Sequence, residues 1–247
     1  AELYQALSET NQFLVTAPAP QELHDAVCRI LVEHGGFALA WVGLPDEQGW
    51  MQPVAAYGAA REYLSELRIS TDSQLPEGQG PTGTTFREGE ATISRRVLDD
   101  PAMTPWMEAA RAHSLRSSGA FPLYRGGRVV GTLNVYAHDP DFLDEGLLHL
   151  LDELSLDVSF ALDNYDRDRQ LRQFQETIEA SPDFIGVADP QGNILYENPA
   201  GRALLGDTRQ DSRIGDRHPT WAAEQILHEA LPRARAAGYW QGETAFL

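Results

Sequence analysis

The chain has 247 residues, 42% of them hydrophobic and 23% charged, enough for one large or two ordinary domains with buried cores. Its formal net charge of −18 and the scatter of its 19 lysines and arginines argue against a phosphate-backbone binder and against docking on an anionic membrane; the acidity reads as a device for solubility. A single cysteine, Cys28, excludes an internal disulfide and a cysteine-based metal cluster and fits a reducing cytoplasm, and no apolar run approaches the roughly 20 residues of a membrane span.

Residues 1–15 read as a helix ended by Pro18-Ala19-Pro20. A second helix follows from Pro20 to His34, with Leu23, Ala26, Val27, Ile30 and Leu31 on one face and Gly35-Gly36 as its stop. Phe37–Leu44 and Trp50–Tyr57 read as two strands joined by the turn chemistry of Pro45-Asp46-Glu47-Gln48-Gly49. Short helices are expected near Ala60–Leu67 and over Thr82–Arg87, and a short strand over Ala91–Ser94. Asp100-Pro101 and Thr104-Pro105 each resemble a cap followed by a first-turn proline, opening a helix that runs to about Ser114. Ser117–Tyr124 and Arg128–Ala137 form a hairpin closed by Arg125-Gly126-Gly127.

From Asp144 to about Glu179 the period is helical. Leu151, Leu154, Val158, Ala161 and Tyr165 fit a heptad seam, which Leu171, Phe174 and Ile178 continue after a one-residue slip. Such a helix reads as a connector that pairs with its copy in a homodimer; two shorter helices broken near Asn164–Arg169 are the alternative. Beyond it, Asp183–Ala188 and Asn193–Glu197 read as strands around Asp189-Pro190-Gln191-Gly192, and Asn198-Pro199 caps a helix to Leu205. Pro219–Ala237 is mostly helical, and Tyr239–Leu247 alternates like a strand.

Several motifs invite a chemistry that their context withholds. Gly78-x-Gly80-x-x-Gly83 matches a dinucleotide loop in letters, but polar residues precede it where a strand is required and Gly89 stops the following helix early. His113, His138 and His149 show no metal-ligand spacing, and no catalytic serine elbow or phosphate-binding lysine loop is present.

Residues 1–165 resemble a GAF domain. The carriers are Gly78-Gln79-Gly80-Pro81-Thr82-Gly83, Asp100-Pro101, Pro105-Trp106, the strand Ser117-Ser118 through Pro122-Leu123, Gly131–Tyr136 and Phe142-Leu143-Asp144-Glu145. Residues 174–247 resemble the first two-thirds of a PAS domain. Ile178-Glu179-Ala180-Ser181-Pro182-Asp183, the turn at Asp189, Asn198-Pro199-Ala200 and Tyr239-Trp240-Gln241-Gly242-Glu243 carry that likeness, and two final strands are expected to be missing.

The resemblance implies an α+β fold: a GAF-like antiparallel sheet with helices over 1–165, a long connecting helix over 144–180, and a partial, C-terminally truncated PAS-like α/β domain over 174–247. It implies a cytoplasmic sensory and dimerising part of a signalling protein, itself not an enzyme, relaying to an output domain such as a histidine kinase or an enzyme of cyclic-di-GMP synthesis or hydrolysis. A passive dimerisation scaffold is the alternative. No cofactor is identified. The pocket region lacks the cysteine of a covalent bilin, and neither haem nor a cyclic nucleotide finds its signature. Free methionine sulfoxide reduction, a chemistry of some GAF proteins, needs a second thiol that this chain lacks.

Period-two alternation on Arg128–Ala137 puts Thr132, Asn134 and Tyr136 on the face opposite Leu133 and Val135. With the resemblance, this yields a candidate pocket of Asn134 and Tyr136, walled by Met103, Trp106, Ser118 and Ala120, with Trp41 reaching in from the edge of the sheet. In the second half, Phe184, Val187, Ile194, Tyr196, Leu204 and Ile226 are the expected interior, and His218 and His228 are expected on the surface.

Overall fold

The structure, a computed structural model, describes residues 19–189, 191–206 and 213–247. The helix expected over 1–15 lies outside them. The chain forms two compact units, residues 1–168 and 169–247.

In the first unit, α1 (Pro20–Glu33) precedes β1 (Leu39–Pro45) and β2 (Met51–Tyr57). After a 3₁₀ turn over Arg61–Glu66 come α2 (Pro81–Glu88) and β3 (Thr92–Ser94). A second 3₁₀ turn, Pro101–Trp106, runs into α3 (Met107–Ala112). The single helix expected to start at Asp100 is thus divided. Asp100 does cap it, accepting a hydrogen bond from the Ala102 amide at 3.0 Å, but Pro105 cannot donate to a helical ladder and the first turns stay 3₁₀. β4 (Ser117–Arg125) and β5 (Arg128–Ala137) form the expected hairpin, where Gly126 and Gly127 both adopt positive φ, at 59° and 74°.

The five strands make one antiparallel sheet in the order β2-β1-β5-β4-β3. Alternation along these strands separates two cores. Ala40, Val42, Phe121, Leu123, Leu133 and Val135 face α1 and the first turns of α4 (Glu145–Glu179), with Leu23, Val27, Leu31, Leu151, Leu154 and Val158 opposite. Leu39, Trp41 and Tyr136 face the 3₁₀ turns and α3.

The 35 residues of α4 form one continuous helix, not two. Its expected pairing seam is misplaced: Leu151, Leu154, Val158 and Ala161 are buried against the sheet of their own unit. They are the apolar face that this domain needs for its core and are unavailable to a second copy. The large apolar side chains left in solvent along α4 are Leu156, Phe160, Leu171 and Phe174.

The second unit pairs β6 (Gly186–Ala188) with β7 (Ile194–Glu197), followed by α5 (Pro199–Leu205), α6 (Thr220–Gln225), a π-helical turn over Ile226–Ala230 and α7 (Leu231–Ala237). Asn198 caps α5 through Gly201 at 3.0 Å and bonds the carbonyls of Ile178, Ser181 and Asp183. Three expectations fail. Tyr239–Leu247 is not a strand. Leu204 and Val187 are exposed: α5 turns Leu205, not Leu204, to the cavity of this unit, and Val187 stands 48% exposed at its lining. His218 is buried, its ring 4.6 Å from that of Phe246 and its Nδ1 2.7 Å from the Ala245 carbonyl oxygen.

Candidate ligand site

Strand register brings the predicted residues together. Trp41 pairs with Asn134 and Asn134 with Ala120, making one row across the sheet. The next row is Leu39, Tyr136, Ser118 and Ser94. Cross-strand partners share a face, so these side chains lie on the side away from α1 and α4. Trp41 belongs to an inner strand, flanked by β2 and β5, not to the sheet edge as expected from sequence.

Over this face sits an aromatic layer. The Tyr63 ring meets Tyr136 edge-on at 5.3 Å. Met103 and Trp106 descend from the second 3₁₀ turn, and Trp106 Nε1 donates to the Arg68 carbonyl at 3.1 Å. Gly80 lies directly against the Trp106 ring, where a Cβ would collide with it. Gly78 and Gly83 are packed as closely against backbone carbonyls of Ser70, Asp72 and Gly78. The glycines of the apparent dinucleotide motif therefore serve close packing, and Arg87 closes that loop by donating to the Gly78 carbonyl at 2.6 Å.

Asn134 is fully engaged within the protein. Its Oδ1 accepts from Thr82 Oγ1 at 2.8 Å, and its Nδ2 donates to the Thr132 carbonyl and hydroxyl oxygens at 3.1 and 3.0 Å. Thr85 Oγ1 donates to the Ala120 carbonyl at 3.2 Å. These bonds fasten α2 onto β4 and β5, so Asn134 and Ala120 form the clamp beside the layer.

Within the layer the situation reverses. Trp41 Nε1, Tyr63 Oη and Ser94 Oγ are buried and close no hydrogen bond of good geometry among the described residues, although the Tyr136 hydroxyl lies near enough to Trp41 and Tyr63 to engage both weakly. Burial holds the Tyr63 and Tyr136 phenols above their ordinary range, Tyr136 at about 12, so both remain neutral. A buried polar atom left wholly unpaired costs about 1–3 kcal/mol; Ser94 Oγ is in that position, while Trp41 Nε1 and Tyr63 Oη share the Tyr136 hydroxyl in poor geometry, so polar groups gather inside an otherwise aromatic layer. The sequence reading missed Tyr63 and Ser94. Tyr63 sits among Arg61, Glu62 and Glu66, and only the tertiary fold turns it inward.

A hydrogen bond beside β3 reaches the residues that precede α4. Arg95, next to Ser94, donates from Nη1 to the Leu143 carbonyl at 2.6 Å. Leu143 is buried, and Asp144 beside it caps α4, its Oδ1 accepting from the Leu147 amide at 2.8 Å.

The thiol of Cys28 lies on the other core. It is fully buried on α1, and burial pushes it up to about 12. The histidines weighed as ligands have other partners: His113 bonds Glu66 at 3.1 Å, His138 lies 2.9 Å from the Ser114 carbonyl oxygen, and His149 is 3.4 Å from Glu153.

The family model described as "GAF domain" matches residues 17–163. No curated protein matches the chain. Among solved structures, the chain is similar to the GAF domain of a phosphoenolpyruvate-protein phosphotransferase from Coxiella burnetii, at 15% identity over 68% of this chain and 97% of that one, TM-score 0.56. It is similar to a GAF domain of A. aeolicus in an inactive state, at 18% identity over 68% and 97%, TM-score 0.50. It is also similar to free methionine-R-sulfoxide reductase from Neisseria meningitidis in complex with its substrate, at 18% identity over 67% and 91%, TM-score 0.55. The last corrects the expectation that the chain is not an enzyme: the fold it adopts also houses an enzyme, so the fold is compatible with catalysis.

Proposed function

The chain belongs to the GAF domain family, and on that premise we propose that its first unit is a sensory, regulatory domain that takes a small molecule into the aromatic layer. The observation that carries this reading is the set of poorly satisfied buried groups, Trp41 Nε1, Tyr63 Oη and Ser94 Oγ, on one face of the sheet, the first two beside the Tyr136 hydroxyl. An indole N–H only donates, so a ligand that draws Trp41 away from the Tyr136 hydroxyl presents at least one acceptor to it. Trp106, Met103 and Tyr136 supply the apolar contact.

Occupancy shifts β3, and Arg95 carries the shift to Leu143 and the cap of α4. The helix acts through a homodimer. At about 100° per residue, Leu156, Phe160, Leu171, Phe174 and Ile178 fall within an arc of about 60°, opposite the face that packs on the sheet. That stripe is the pairing surface. The second unit is PAS-like, and the relay ends on an output domain in the cytoplasm, a histidine kinase or an enzyme of cyclic-di-GMP synthesis or hydrolysis.

The test is native mass spectrometry of the purified 247-residue chain against its denatured mass. A reproducible small extra mass, absent from the Trp41→Phe variant, is the expected result. A wild-type chain of bare mass, in which Trp41→Phe also leaves thermal stability unaltered in the presence of cell metabolite extract, overturns the ligand reading and leaves a passive scaffold.

A further inference from the structure

Two β-bulges open the same end of the sheet. Val54 is the extra residue on β2 beside the Val42–Gly43 step, and Val130 the extra residue on β5 beside the Leu123–Tyr124 step. Gly43 pairs with Thr132, so the irregularities are neighbours. Gly131, between them, lies so close to the Leu44 side chain and the Gly43 carbonyl that a Cβ there would strike both.

At this end is a cavity of about 360 Å³, within the range of small-molecule sites. Leu44 of β1, Phe86 of α2, Leu123 of β4, Val130 of β5 and Leu162 of α4 give it apolar walls, and Arg125 stands at its side. Both guanidinium contacts of Arg125 go to Asp166 of α4, so its charge is already matched. Phe86 also packs against the core of the aromatic layer, but none of Trp41, Tyr63, Met103, Trp106 and Tyr136 lines the cavity.

One polar atom looks for a partner here. His24 of α1 is 5% exposed, and its Nε2 has no hydrogen-bond partner among the described residues. Burial is the largest influence on the ring and holds its pKa below the ordinary value; Arg125 acts the same way and Asp25 against. The imidazole is therefore neutral near pH 7, and a neutral ring can meet either a donor or an acceptor according to its tautomer.

We propose that this cavity is a second ligand site, for a small uncharged apolar molecule bearing one hydroxyl or equivalent group that hydrogen-bonds His24 Nε2. A charged ligand finds no unmatched charge in the lining. The occupant rests on Leu162 and lies beside the Arg125–Asp166 pair, so it bears on α4 without passing through the aromatic layer.

Phenol and toluene serve as matched probes, followed through the methyl NMR signals of Leu44, Leu123 and Leu162 in the whole chain. Both are expected to give saturable shifts, with phenol about fivefold tighter, the equivalent of one neutral hydrogen bond. His24→Leu is expected to abolish the preference for phenol while toluene still binds. Val130→Trp, or Val130→Phe where tryptophan prevents folding, fills the cavity and is expected to remove both titrations. The proposal is overturned by an absence of saturable shifts in the wild type. A phenol preference that survives His24→Leu, titrations that survive the filled cavity, or methyl shifts confined to Met103 of the aromatic layer overturn it equally.

Discussion

Tyr63 carries a hydroxyl into the aromatic layer where only the Tyr136 hydroxyl meets it, in poor geometry, while Asn134, one strand away from Trp41, satisfies its whole amide. Opposite mutational outcomes follow. Tyr63→Phe removes a poorly paired polar group and keeps the ring, so the ligand-free chain is expected to stay within about 1 kcal/mol of wild type. Any ligand-dependent rise in Tm is expected to shrink. Asn134→Ala strands Thr82 Oγ1 and loosens α2, at a cost of about 2 kcal/mol in urea unfolding. Cys28 gives a pH dependence. Its thiol is pushed up to about 12 when folded, against about 8.5–9 in an unfolded chain. Below about pH 9 both states hold the proton and nothing is lost. As pH rises from 9 towards 12 the unfolded chain ionises first, so folding weakens. Urea midpoints of wild type and Cys28→Ala, compared at pH 8 and pH 10.5, are expected to converge at the higher pH.

Helix α4 has two apolar faces with different uses. Leu154 is a core residue of the first unit, and Leu154→Ala is expected to cost about 2–5 kcal/mol. Phe160 is 62% exposed, partly covered by the Arg167 guanidinium 5.8 Å from its ring. Phe160→Glu is therefore expected to leave the unfolding midpoint of the isolated chain within about 0.5 kcal/mol of wild type, and to weaken self-association by tenfold or more in sedimentation equilibrium. A Leu154 substitution that disrupts association as selectively as Phe160→Glu would return the pairing seam to the face first read from the heptads.

The two units are each compact, and both core clusters belong to the first, so their unfolding is expected to separate. Phe184 packs edge-on against Phe246 at 5.2 Å and lies against Gly201, all within the second unit. Phe184→Ala is expected to lower a second-unit calorimetric transition by several degrees and leave the first-unit transition in place. A single transition shifted as a whole would show that the units unfold together.

At this scale the reach of the sequence is also clearest. Gly126-Gly127, Asp100-Pro101 and Asn198-Pro199 specified a hairpin and two caps, because turn and cap chemistry is local and each residue type answers one backbone demand. Alternation along β5 separated Leu133 and Val135 from Asn134 and Tyr136, since a strand has only two faces. The sheet order followed from no local signal; it rests on long-range pairing. Which of two apolar stripes on α4 enters the core was undetermined by periodicity, which reports a face and not its partner. The poorly satisfied polar atoms of Trp41, Tyr63 and His24 were beyond reach for the same reason: a lone polar group in a sequence has no address until the chain closes around it, and only the tertiary structure removes the water that would otherwise satisfy it.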